Sequence, residues 1–457
     1  MTSRTSRNRS HRRLHRDGRP PAARSSRGPA ALLLTAALAA SLLTGCGSTG
    51  AADPVVVRVS APETPAPVDP ARVAATATAT SAFGLDLLHT LTAAPDQAGR
   101  NLVLSPSGLA TALAMLLPGA RGATADELAR VLHTDLAPEQ YALATGALNR
   151  RVPPTDGLTL RQSDALWAQQ GFPLGQDYLR TLAAAFDTGV HTTDFAKDPD
   201  GSRRTVNAAV EKATEGRIKD LFGKGAITSD TRLALTDALY LKAKWASPFK
   251  AAHTSDRPFH RLDGSAPNVG TMGQTGTFRY AEGSGGILGE PWQAVELPYE
   301  DGGLAMDLVV PAQGGFAAFA KGLDQAQLDT ILGALAERPV DLTLPRFRFD
   351  TADDLVPALR ALGVAAAFDA ADLSGLTGPG AHESLRVGTV VQKATVQVDE
   401  EGTVAAAGSG VGVVATAAQA PRQAVELHID RPFLFLVRDT TTGRPLFLGQ
   451  VTDPQAG

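Results

Sequence analysis

Apolar positions in the first third of the chain recur with a helical period. Phe83, Leu87, Leu88 and Leu91 fall at i, i+4, i+5 and i+8, one face of an amphipathic helix. The run LSPSGLATALAMLL predicts a second helix. A third is expected to open at Thr124-Ala-Asp-Glu127, where a Thr hydroxyl and a Glu carboxylate three residues on can satisfy orphan amides reciprocally. After about residue 230 the texture changes. TRLALTDALYLKAKW, TFRYA, WQAVELPY, LAMDLVVP, DLTLPRFRF, ATVQVD and PFLFLV are short apolar or alternating runs bounded by Gly, Pro or Asp, as strands are. Helical segments return at Gly322–Glu337 and Ala352–Leu362. No internal repeat or composition break divides this region. The pattern predicts one mixed α+β domain over residues 74–457, with helices early and a large, mostly antiparallel sheet system later.

The N-terminal residues follow a different logic. Residues 1–29 hold nine arginines and one aspartate, and an uncharged run, Ala30–Leu43, follows. That run has the length of a signal h-region and is too short to span a bilayer. It ends in Leu43-Thr44-Gly45-Cys46, which resembles the lipobox of bacterial lipoproteins. Residues 1–45 are therefore expected to be a lipoprotein-type signal peptide. The resemblance implies that Cys46 becomes the new N-terminus and carries a thioether-linked diacylglycerol, and two acyl chains suffice for stable anchoring. The expected location is extracellular, lipid-anchored to the outer face of the cell membrane, or secreted. Residues 46–73, rich in Pro, Ala and Thr, read as a semi-extended tether without a core.

Charge and candidate chemistry narrow the function by exclusion. The net charge of −4 conceals about −12 outside the basic leader, which argues against a nucleic-acid partner. Cys46 is the only cysteine, so neither an intrachain disulfide nor a cysteine-based zinc site can form. There is no G-x-S-x-G, no H-E-x-x-H and no Walker loop. GSGVGV at Gly408–Val413 lacks the third glycine and following helix of a dinucleotide loop. His253 and His260 read as solvated loop residues, and Glu400–Glu401 as solvated carboxylates beside a turn glycine. No nucleophile, base and oxyanion donor assemble, so the chain does not read as an enzyme, and no cofactor is implied.

Several blocks point to one family. NLVLSPSGLATALAMLLPGARGATADELARVL, which contains Ser105, DALYLKAKWASPF with Asp237 and Trp245, and VGTMGQTGTFRYAE resemble serpin segments. So do WQAVELPYEDGGLAMDLVVP, LPRFRFDTADDLVPALRALGVAAAFDAADLSGLT, DEEGTVAAA and DRPFLFLVRDTTTGRPLFLGQVTDP, in the expected order. The resemblance covers residues 75–455. It implies three β-sheets, eight or nine helices and an exposed reactive-centre loop that baits a protease. The hinge maps to Glu400, Glu401, Gly402, Thr403, Val404, Ala405, Ala406 and Ala407, the polar contacts beneath the sheet opening to Ser105, Asp237 and Gln392, and Trp245 to the strand and turn at the top of the central sheet. Where the family often has Glu after the hinge threonine, commonly His beneath the opening and usually Asn facing it, this chain has Val404, Gln392 and Asp237. Gln392 can still donate an amide hydrogen to Asp237.

From Thr403 to Pro421 there is no charge and almost nothing larger than Val. A loop that must later become a middle strand has to avoid charge, since burying one is costly. Family spacing from Glu400 implies a cleaved bond at Thr416-Ala417, whereas counting back from Pro432-Phe433 lands near Pro421, so the window is 416–421. Its small or uncharged residues imply an elastase-, subtilisin- or chymotrypsin-like serine protease as partner, with a cysteine protease as the alternative. The function expected is a monomeric suicide-substrate inhibitor that contacts membrane only through its lipid anchor. The alternative is a non-inhibitory binding module whose loop is only a substrate. Gly408, Gly410 and Gly412, which weaken strand propensity, lean toward that alternative.

Overall fold

A computed structural model of the protein describes residues 54–62, 67–93, 97, 99–150, 158–284, 289, 291–300, 302–377, 385–403 and 423–456. The first part of the chain forms β1 (Val55–Val57), α1 (Pro70–Thr92), β2 (Leu102–Leu104), α2 (Pro106–Leu116), α3 (Gly122–Val131) and α4 (Pro138–Asn149). There follow β3 (Leu158–Gln169), α5 (Gln176–Phe186), β4 (Val190–Thr193), α6 (Pro199–Ala213) and β5 (Leu233–Lys244). The middle holds β6 (Ser255–Pro258), β7 (Asn268–Gly283), β8 (Trp292–Pro298), β9 (Leu304–Pro311), α7 (Phe316–Gly322) and α8 (Gln325–Ala334). The last part contains β10 (Ala336–Pro345), β11 (Phe347–Asp354), α9 (Val356–Ala361), β12 (Val387–Val398), β13 (Gly402–Thr403), β14 (Val425–His428), β15 (Phe433–Asp439) and β16 (Pro445–Val451).

The main sheet has seven strands in the order β1-β4-β3-β5-β13-β12-β11. The other strands, which the resemblance would divide between two sheets, are linked here in one nine-stranded sheet. The link is β7, whose 16 residues pair successively with β6, β10 and β8. One core lies between the sheets, built on Leu239, Leu241, Phe347, Phe433 and Phe435. Helix α2 runs through a second core, and all eleven of its residues are buried, which an uncharged LATALAML sequence permits. A third cluster joins Val206 and Val210 of α6 to Ala234, Ala238 and Tyr240 on the outer face of β5.

Two local expectations need correction. The capping box at Thr124 and Glu127 does not form, because α3 begins earlier, at Gly122. Thr124 instead accepts from the Asp372 amide at 3.0 Å, and Glu127 Oε2 from the amides of Ala365 and Ala366 at 2.8 and 2.7 Å. Part of the stretch read as a coreless tether is structured as well. The β-branched run Val55–Val57 pairs antiparallel with β4, and Thr192 Oγ1 donates to the Val55 carbonyl at 3.0 Å. Helix α1 begins at Pro70, capped by the Asp69 carboxylate, four residues ahead of the expected boundary.

Candidate functional site

Strands β5 and β12 lie side by side and parallel, in register from Ala234↔Thr389 to Tyr240↔Thr395. Above that point they part, and β13 occupies the gap. Gly402 pairs with Lys244, and Thr403 pairs with Ala243 on one side and Val398 on the other. A Cβ on residue 402 would collide with the Ala243 carbonyl and the Lys244 Cα, so glycine is what lets the chain enter. Thr403 is buried, and its hydroxyl lies 2.6 Å from the Tyr299 hydroxyl.

Trp245 holds the turn that leads into the gap. Its ring stacks on Tyr299 at 4.7 Å, its indole N–H donates to the Asp399 carbonyl at 3.0 Å, and its backbone N–H to the Glu401 carbonyl at 2.9 Å. The Glu400 carbonyl accepts from the Phe249 amide at 2.8 Å. Its carboxylate receives the Thr254 hydroxyl at 2.5 Å and the Arg346 guanidinium, whose Nε lies at 2.8 Å. Burial works against this carboxylate, but the bonds from Arg346 and Thr254 outweigh it and hold its pKa below the usual value. Glu400 is thus a fixed anchor, unlike the solvated carboxylate its sequence suggests. Glu401 sits at the turn, its amide donating to Asp399 Oδ1 at 3.0 Å.

Lower in the seam, Gln392 and Asp237 are cross-strand neighbours, both buried. Gln392 Nε2 donates to Asp237 Oδ2 and, at 2.9 Å, to the Ser105 carbonyl, while its Oε1 accepts from the Ser105 amide at 3.0 Å. Ser105 caps α2, its hydroxyl accepting from the Gly108 amide at 3.1 Å. The structure therefore brings Ser105, Asp237 and Gln392 into one network that clamps β5, β12 and α2 together. Trp245 belongs to the hinge contacts higher up.

Sequence reasoning missed Tyr299, Arg346 and Thr254 at the hinge. It also missed Asp164 and Gln162, whose only sequence signal is polarity inside the strand-like run of β3, and Arg444 in the turn before β16. Arg444 is buried and donates to Gln162 Oε1 at 2.8 Å. The expected Val404, Ala405, Ala406, Ala407, Thr416, Ala417, Pro421 and Cys46 lie outside the described residues. Among the described residues no group of His, Cys, Asp or Glu could hold a metal ion, and no helix is long and apolar enough to cross a membrane.

Residues 78–454 match the sequence profile of the family described as Serpin (serine protease inhibitor). The chain belongs to the serpin family. An uncharacterized serpin-like protein of Thermococcus kodakarensis is 36% identical over 361 residues, covering 78% of this chain and 82% of that one. Plasminogen activator inhibitor 1 of Neovison vison is 33% identical over 360 residues, covering 78% of this chain and 88% of its own. Among solved structures, native protease nexin-1 with heparin superposes with a TM-score of 0.74 at 25% identity, covering 84% of this chain and all of that one. The α+β fold is that of serpins, with the seam between β5 and β12 at its centre.

Proposed function

We propose that this serpin is a suicide-substrate inhibitor of an elastase-, subtilisin- or chymotrypsin-like serine protease, presented outside the cell on a lipid anchor at Cys46. The observation that carries the reading is the wedge of Gly402 and Thr403 at the top of a seam that is closed below. Continuing the β13–β5 register downward would pair Ala405 with Leu241, Ala407 with Leu239, Ser409 with Asp237 and Val411 with Leu235. Leu239 and Leu241 face the core, so these loop residues would enter it, and none is charged. Gly408 and Gly412 would then pair with Ala238 and Ala234, beneath Val206 and Val210 of α6, where a bare backbone clears the helix. That role offsets the weak strand propensity of glycine.

In the proposed reaction the protease nucleophile attacks a carbonyl in the 416–421 window. It forms an acyl-enzyme and releases the new amine of the following residue. The freed loop then inserts into the seam and drags the acylated protease with it. About a dozen inserted residues, at roughly 0.5–1.5 kcal/mol net per hydrogen bond, supply on the order of 10 kcal/mol. Slowing deacylation by about four to six decades corresponds to roughly 5–8 kcal/mol. The insertion energy is sufficient.

The test mixes full-length protein with elastase, subtilisin, chymotrypsin and trypsin in turn. Denaturing gels are followed by sequencing of the new N-terminus. The expected result is an SDS-resistant complex cut within 416–421. Complete loop cleavage that leaves every protease fully active would favour the binding-module alternative, toward which Val404 at the hinge also leans. The mass of the N-terminal peptide from membrane-extracted protein tests the anchor: unmodified Cys46, or a plain secretory cut elsewhere, removes it.

A further inference from the structure

Asp164 on β3 and Asp237 on β5 stand directly opposite each other in the ladder. One oxygen of each is committed: Asp164 Oδ2 accepts from Gln162 Nε2, and Asp237 Oδ2 from Gln392 Nε2. The remaining oxygen of each, Oδ1, is buried and faces no donor. The two side chains belong to paired residues of adjacent strands, with both orphaned oxygens shut away from water. A single proton between them satisfies both, whereas two bare carboxylates would leave buried like charges in contact.

The surroundings balance one negative charge. Arg444 is the cation that faces the pair, and it is also held by Gln162 and influenced by Asp439 beyond it. Helix α2 contributes Ser105, Ser107 and Gly108, the last so close that a Cβ there would collide with Asp237. Strand β12 contributes the amide of Gln392, and the end of α4 the carbonyl of Asn149, 3.4 Å from Arg444 Nη1. Burial first, then the charge of Asp237, push the Asp164 pKa well above its usual value. Burial also raises that of Asp237, against the opposing hydrogen bonds from Asp164 and Gln392. Both directions favour one proton held by the pair.

We propose that Asp164 and Asp237 share one proton that holds the β5–β12 seam shut, so that opening the main sheet releases it and accelerates as pH rises. The inference rests on the insertion mechanism proposed above. Parting β5 from β12 removes the Gln392 amide from Asp237 and admits water to the pair, which favours the ionised form. A state that binds fewer protons gains on its competitor by up to about tenfold per pH unit. A histidine at the same seam would act in the opposite sense, gaining charge as pH falls. Asp164 lies on β3, one strand removed from the seam, and is a positioning residue that acts through Asp237.

The probe is a blocked synthetic peptide, TVAAAGSGVGVV, matching residues 403–414 and free of titratable groups. Its annealing into the full-length protein is followed on native gels across a range from about pH 5 to about pH 8. Annealing is expected to be at least about tenfold faster at the upper end, and Asp164→Asn, which keeps a donor to Asp237 but has no proton to lose, is expected to anneal with a flat profile. A flat or falling wild-type profile overturns the proposal without any variant, as does an Asp164→Asn protein that keeps the slope. Failure of the peptide to anneal at any pH would instead remove the insertion mechanism and this proposal together.

Discussion

Asp307 on β9 illustrates how burial and pairing compete at a single residue. It is 1% exposed and lies opposite Glu296, and both share Arg438, whose Nε reaches Asp307 at 2.7 Å and whose Nη2 reaches Glu296 at 2.6 Å. Arg279 also reaches Glu296, at 3.0 Å, but burial outweighs both guanidinium groups and pushes the Asp307 pKa from 3.8 up to about 6. The folded value lies above the unfolded one, so the fold favours the protonated acid. The stability this contributes is complete below about pH 4 and is lost as pH rises through about 6. A rise of that size is worth roughly 3 kcal/mol. Urea unfolding from about pH 4 to about pH 7 should show Asp307→Asn losing about that much less stability than wild type over the interval. Equal losses in the two proteins would show that Asp307 titrates normally. At this scale the sequence was legible only where a motif carried the residue. Ser105, Trp245 and Asp237 sit inside blocks resembling a family, Gln392 is placed by the same resemblance, and all four make the contacts described. Asp164 lies on β3 and Arg346 between β10 and β11, with partners 73 and 54 residues away in sequence, and no local pattern reports them.

Elements with one apolar face are legible, because a single period encodes them. Phe83, Leu87 and Leu88 are buried on α1 as their spacing predicts. Strand β3 departs from the helical expectation for the early part of the chain. Its centre, RQSD, breaks the alternation because Arg161 pairs with Glu215 while Gln162 and Asp164 join the polar network under the sheet. A strand of that composition is intelligible only beside β5. The register between β13 and β5 is likewise visible only in the structure, and it makes the loop's two faces unequal. Residue 407, opposite Leu239 at 0% exposure, would turn into the core on insertion. Ala407→Glu would bury an unpaired carboxylate, at a cost of several kcal/mol. The loop should still be cut at the wild-type rate, but the ratio of cleaved to trapped product should rise by at least about tenfold. Undiminished trapping would mean that the strand enters in a different register or not at all.

At the scale of the whole molecule, the proposed insertion would draw on the strand order. Strands β1, β4, β3 and β5 stand on one side of the seam and β12 and β11 on the other, with two parallel neighbours in contact where an antiparallel strand could lie between them. Accepting one requires the two halves to separate by about 4.8 Å, one strand spacing. Each parallel contact is then exchanged for two antiparallel ones, the more favourable pairing. The edge strand β1, formed from the segment expected to tether the protein, belongs to one of these halves, so the N-terminal run is joined to the sheet that the proposed insertion would widen. If the exchange yields on the order of 10 kcal/mol, a domain of this size should gain on the order of 10 °C in Tm once its loop is cut. Calorimetry of the full-length protein before and after limited proteolysis within 416–421 measures this directly. A cut protein that melts where the intact one does has not inserted its loop. The closed seam would then be the stable end state of the fold, and trapping would have no energy to draw on.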